Sequence, residues 1–253
     1  MRESLRLRFE ALTGRAAAVR WQLQAENDWP PSDLELLLVV GQALAAGGDS
    51  AAVRELVGDR RLCQSYFPVA LAATLETKHG VQAAREVYQQ IWTVCADQPA
   101  GLTALERLAD LEYRAGQLPA ALHWIAQLTR ERPLEASRWA ELARFQLEAG
   151  QFELARDTAD YSLSLDSSLR NLGARAFRGI ALLRLGAAEA ALADLEQVEA
   201  SGSTSPWNRV ALAQAYWQTG RRDAARQTLA LLLRASPDFE PAQRQLEAWS
   251  GLP

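Results

Sequence analysis

The chain has 253 residues, 49% of them hydrophobic, which is enough apolar surface to fill a core and too much for bulk disorder. Its 27 basic and 31 acidic residues leave a formal charge of −4, so it lacks the broad positive footprint of a nucleic-acid binder. Cys63 and Cys95 are the only cysteines and His79 and His123 the only histidines, an inventory that makes no disulfide framework and no metal-ligand spacing.

From its start the chain alternates Arg and Glu around Leu5, Leu7, Phe9 and Leu12, with no uninterrupted apolar segment of signal-peptide type. The most apolar run follows, Leu34 to Ala46, but Glu35 and Gln42 interrupt it and it is too short to span a bilayer. With both cysteines expected to be unpaired small apolar fillers, these features predict a soluble, cytoplasmic protein in a reducing compartment.

Along the rest of the chain runs a ladder of glycines: Gly14, Gly48, Gly80, Gly116, Gly150, Gly186 and Gly220, at spacings of 34, 32, 36, 34, 36 and 34 residues. That is the period of a helix-turn-helix repeat array. Each glycine follows one apolar-periodic helix and precedes another, so it is expected to end the first helix in the left-handed conformation. Seven positions upstream lie Leu7, Gly41, Ala73, Ala109, Ala143, Gly179 and Ala213. Five positions downstream lie Val19, Val53, Arg85, Ala121, Ala155, Ala191 and Ala225, with Ala84 showing that the third repeat is one residue short in its turn. Small residues at those two fixed points let paired helices approach closely. Larger residues fill the remaining contacts: Leu37, Val69, Leu105 and Trp139 before the glycines, Leu23, Val57, Ile125, Leu195 and Leu229 after them. Pro31, Pro133 and Pro237 suit the breaks between repeats.

Three stretches depart from the pattern. Gly58-Asp59-Arg60-Arg61 interrupts the second repeat, so 58–65 is expected to be a loop or a shortened turn. Residues 200–206 read as a flexible connection, with Ser205 as an N-cap and Pro206 at the first helical position. Phe239 to Trp249 reads as a capping helix that shields the last repeat.

The stretch from Trp139-Ala140-Glu141-Leu142-Ala143 through Gly150 and Ala155 resembles a tetratricopeptide repeat. So does Leu212-Ala213-Gln214-Ala215-Tyr216 through Gly220, Ala225 and Pro237. The resemblance covers the whole chain as one solenoid, 1–253, with repeats at about 1–33, 34–65, 66–101, 102–135, 136–169, 172–205 and 206–239 and a cap at 240–253. It implies an all-α, right-handed superhelical solenoid of about seven antiparallel helix pairs plus a C-terminal capping helix. The first helix of each pair would line a concave face.

No catalytic constellation emerges. The histidines stand apart, the carboxylates are dispersed on helix surfaces, and Gly47-Gly48-Asp49-Ser50 lacks the lysine and preceding strand of a phosphate loop. The expectation is a non-enzymatic scaffold or adaptor that holds a peptide or partner segment, with no cofactor, no metal, no nucleic acid and no membrane span. Helical phase assigns to the lining the residues thirteen, ten, six and three before each glycine. They include Glu106, Asp110 and Tyr113, then Arg144 and Leu147, then Ile180 and Leu183, and finally Gln214 and Trp217 in the last repeat. A partner would set apolar residues against Ile180, Leu183 and Trp217, with Arg144 and Tyr113 holding its polar end. The basic and amide set that clamps chaperone C-terminal carboxylates in one subclass of these repeats is missing here. Two alternatives stand beside this reading: a structural subunit or homodimer built through Trp21, Trp29 and Trp92, and a helical-repeat RNA binder, which the acidic balance opposes.

Overall fold

A computed structural model describes residues 2–26, 28–168, 171–202 and 205–250. Ser203 and Thr204 of the predicted connection, Leu169, and 251–253 of the predicted cap lie outside them. Every regular element among the described residues is helical. The chain divides into two compact units, residues 1–131 and 132–253.

Among the described residues, the first unit holds eight α-helices. Arg2–Glu10 (α1) and Ala16–Ala25 (α2) are joined through a kink where Gly14 takes a φ of 89°. Leu34–Gly47 (α3) pairs with the short Ser50–Leu56 (α4), Phe67–His79 (α5) with Val81–Cys95 (α6), and Pro99–Arg114 (α7) with Leu118–Glu131 (α8). First helices also pack on one another, α3 on α5 and α5 on α7. The second unit repeats the scheme with Ala136–Glu148 (α9), Phe152–Leu165 (α10), Leu172–Arg184 (α11), Ala188–Ala200 (α12), Pro206–Gln218 (α13) and Arg222–Ala235 (α14). Glu240–Ser250 (α15) packs on α14 as the closing helix. Helix boundaries therefore follow the glycine ladder, and Pro133 and Pro237 fall between helices.

Small side chains set the helix spacing. Ala109, Ala143 and Ala213 on first helices, and Ala84, Ala121, Ala155, Ala191 and Ala225 on second helices, are all buried. Gly179 shows how tight the approach is: a Cβ there would lie 2.9 Å from Leu195 Cγ across the α11–α12 contact. Larger residues close the cores. Leu37, Leu71, Tyr88, Ile91 and Leu108 lie in one cluster of the first unit, and Leu183, Leu192, Leu195 and Leu212 in one cluster of the second.

Caps explain several helix starts. Asp33 accepts hydrogen bonds from the backbone N–H of Glu35 and Leu36, from Ser4 Oγ at 2.6 Å, and from Arg8. It thus ties α1 to the start of α3, and its carboxyl is held down at about 2, mainly by the Ser4 hydroxyl and the Leu36 N–H. Asp49 caps α4 through the N–H of Ala52. Pro206 opens α13 as expected, but the Ser205 hydroxyl makes no capping bond. In the third repeat Gly80 both ends α5 and begins α6, with φ 89° and ψ 174°, which is the shortened turn.

The cysteine expectation is corrected. Cys63 and Cys95 are buried but bonded to each other, with Cα atoms 5.3 Å apart across a sequence separation of 32 residues. The reason is local: α4 stops at Leu56, and the chain turns through a 3₁₀ segment, Arg60–Leu62, that brings Cys63 against the end of α6.

Two stability tests follow from this geometry. Gly150 sits at φ 73° with open space where a Cβ would be, so Gly150→Ala should cost about 1–2 kcal/mol through backbone conformation alone. Gly47 is helical and equally open, so Gly47→Ala should gain up to about 1 kcal/mol; thermal melts of both variants check the opposite signs. The Asp33 carboxyl titrates lower in the folded chain (about 2) than its ordinary 3.8, so its contribution is full above about pH 4 and disappears as pH falls toward 2. Asp33→Asn should flatten that acid limb, measured as melting temperature against pH.

Candidate binding faces of the first helices

In the first unit, Thr103, Glu106, Asp110 and Tyr113 share one half-buried face of α7. The face is a paired polar network. Arg114 Nε donates to Asp110 at 3.0 Å, and the same guanidinium reaches Glu76 on α5. Glu76 also accepts from the buried hydroxyl of Tyr88 on α6 at 3.2 Å. Burial, then the Glu76 charge, push the Tyr88 phenol upward, so it stays a neutral donor. Arg107 is held by the Tyr66 hydroxyl, its guanidinium favoured further in the charged form. Below the face, Glu112 is buried against Arg85 of α6, with Arg85 Nη2 donating to Glu112 Oε2 at 2.9 Å.

In the second unit the corresponding faces of α9, α11 and α13 have a floor of buried small or β-branched residues, Ala140, Ala176 and Val210. Leu147, Ile180 and Gln214 stand half-exposed beside them. Arg144 pairs with Glu148 at 3.3 Å and Glu141 at 3.8 Å, and its guanidinium lies 4.4 Å from the centroid of the Phe145 ring. Two predicted lining residues are engaged in packing. Leu183 is buried in the core with Leu192, Leu195 and Leu212. Trp217 stacks flat on Trp249 of α15, centroids 4.3 Å apart and planes 1° apart, with the guanidinium carbons of Arg222 and Arg226 5.2 and 5.4 Å from its ring centroid. It packs the closing helix. Gln214 is likewise tied to α15, its Nε2 donating to Gln245 Oε1 at 2.8 Å.

The exposed aromatic of this end is Trp207, 62% accessible and set edge-on to Phe239 at 5.2 Å. With Pro241, Arg244, Gln245 and Ala248 it frames a depression of about 420 Å³. Its place thirteen residues before Gly220 was the signal that could have raised it above Trp217.

One charged cluster holds the middle of this unit. Arg178 on α11 donates bidentately to Asp194 on α12, at 2.7 and 2.6 Å, and to Asp160 on α10 at 2.8 Å. Asp194 is buried, and the three residues together tie three helices at one point. Among the described residues no group of three or more His, Cys, Asp or Glu could hold a metal ion, and no helix is long and apolar enough to cross a membrane. His79 makes a hydrogen-bonding contact with the Ala46 carbonyl, and His123 lies edge-on to Trp124.

Residues 182–249 match the family model described as tetratricopeptide repeat. No curated protein sequence matches the chain. Several solved structures share the fold. YrrB, described as a TPR protein with an unusual peptide-binding site, is 15% identical with a TM-score of 0.57, over 72% of this chain and 91% of its own. The nearly identical TPR-like repeats of a putative kinesin light chain from Podosopora anserina are 22% identical with a TM-score of 0.55, over 70% and 94%. MamA is 16% identical with a TM-score of 0.54, over 73% and 93%.

The Arg178 cluster sets a clear expectation. Arg178→Ala leaves the Asp194 carboxylate buried without its cation and should cost about 3–5 kcal/mol in denaturant unfolding. Adding Asp194→Ala should restore part of that loss, since the uncompensated charge is then gone.

Proposed function

We propose that this tetratricopeptide-repeat protein is a non-enzymatic scaffold that holds a peptide or partner segment on the first-helix faces of its repeats. The observation that carries this is the strip on α9 and α11. Half-exposed Leu147 and Ile180 rise beside a floor of buried Ala140 and Ala176, with Arg144 at its side. A floor of small residues lets an extended chain approach the helix backbone, while the flanking apolar and guanidinium groups are what binding hot spots favour. The polar face of α7, with Glu106, Asp110 and Tyr113, supplies a second, hydrogen-bonding surface in the other unit. The peptide-binding site described for YrrB, which shares the fold, supports a peptide as the class of ligand.

A peptide selected from a displayed random library against the full chain provides the test. Arg144→Glu and Ile180→Asp should each weaken it tenfold or more by calorimetry, whereas Trp21→Ala should leave affinity unchanged. Equal affinity in all three variants would refute the strip.

A second reading, a homodimer or structural subunit, is favoured by one observation. Trp21 is 73% exposed, and Leu5, Phe9 and Leu12 of the same helix pair are also exposed. Trp29 is less available, since its Nε1 donates to Glu55 and Arg20 lies over its ring. Sedimentation velocity over a hundredfold concentration range separates the readings: a scaffold gives a free monomer, an obligate assembly does not.

A further inference from the structure

The second repeat is half a helix short. Its second helix, α4, has 7 residues, where α6, α8, α10, α12 and α14 have 13 to 15. Residues 57–66 take the place of the missing turns, burying Val57, Leu62 and Cys63 in the cluster that contains Tyr88, Ile91 and Cys95. A single 3₁₀ turn provides little regular backbone hydrogen bonding to hold such a segment.

Its polar anchors are peripheral. Arg60 pairs with Asp97 at 3.6 Å, both largely exposed, and Gln64 donates to Gln98 at 2.6 Å on the surface. Arg61 donates to the carbonyls of Ser32 and Pro31 at 2.8 and 2.9 Å. Exposed pairs of this kind contribute little to stability. Beside the burial of Val57 and Leu62 and the Tyr66–Arg107 contact, the segment has a covalent constraint, the Cys63–Cys95 bond, which closes a long loop in the unfolded chain and so removes much of its conformational freedom.

We infer that this bond is a permanent staple standing in for the missing half of α4, and that the chain folds and works where thiols are oxidised. Both cysteines are buried, 2% and 0% exposed, so a reductant has no path to either sulfur unless the segment opens. That favours a staple over a reversible switch. Buried structural disulfides of this kind persist in oxidising compartments and are rare where thiol reductants are maintained. The reducing-compartment expectation rested on unpaired thiols and is replaced by this one. Formation of the bond takes two electrons and two protons from the Cys63 and Cys95 thiols. A disulfide-bearing oxidant accepts them through a mixed disulfide with one cysteine, which the other resolves, and leaves as a dithiol.

The decisive measurement is the redox state in the source cells. Material is quenched in acid, denatured and alkylated with N-ethylmaleimide, and the intact mass is read with and without prior reduction. No adduct without reduction, and two after it, is the expected result. Adducts on both cysteines without reduction, or a mixed population that moves with the redox state of the medium, would overturn the inference. A thermal melt of the oxidised full chain tests the stapling itself. Chain reduced with tris(2-carboxyethyl)phosphine in denaturant and refolded in the reductant, its two free thiols verified by mass, should melt several degrees lower, as should the paired substitution Cys63→Ser and Cys95→Ser. An unchanged melt of the verified reduced chain overturns the staple.

Discussion

The distance between helix axes is the constraint from which the rest of this structure proceeds. At Gly179 there is no room for even one more carbon before Leu195, and buried alanines, Ala109, Ala143 and Ala213, stand at the matching positions of α7, α9 and α13. Axes this close leave room for one layer of mostly medium-sized side chains, which is why Leu, Val and Ile dominate the clusters, with Tyr88 and Phe145 as large fully buried members. Trp139 is set edge-on to Tyr161, with its Nε1 donating to the Pro133 carbonyl. The small residues also determine what the first helices can show outward. With Ala140 and Ala176 at the floor, neighbouring side chains become the walls of a shallow strip.

Close axes also bring charged groups from different helices within reach, and the chain uses arginine for nearly all of them. Arg8 spans Asp33 and Glu35, Arg20 spans Asp49 and Glu55, and Arg178 spans Asp194 and Asp160. Each bridges two carboxylates at once, a geometry that a planar fork of donors satisfies and a lysine ammonium does not. Lys78 is the only lysine in the sequence, so this chemistry accompanies the composition throughout. These forks act as cross-ties where a glycine or alanine contact alone would leave helices free to rotate about one another.

The helical order of the chain was legible because it is written in local chemistry. Gly48, Gly116 and Gly150 end helices through positive φ, and Gly80 marks the one turn that is shorter, as Ala84 indicated. Faces were less legible, because a fixed offset from glycine does not say what packs over a position. Leu183 shows the failure: Tyr113 and Leu147 at the same offset stay half-exposed, whereas Leu183 is covered by the α12 and α13 side chains Leu192, Leu195 and Leu212. The disulfide was invisible for a different reason. Nothing in a separation of 32 residues says that a truncated α4 will lay Cys63 on the end of α6; that follows only once the second repeat loses half a helix.

The packing of α15 then determines which aromatics of this end stay exposed. It buries its apolar side on α13 and α14, with Trp249 against Trp217. Two guanidinium groups lie near the Trp217 ring, and the Gln214–Gln245 bond closes the adjoining polar edge. Trp217 is thus half-buried and engaged by α15. Trp207, three turns earlier on the same helix, is held only at its edge by Phe239 and keeps most of its surface open. The helix that completes this core thus engages one tryptophan of α13 and leaves the other exposed, framed by Pro241, Arg244 and Ala248.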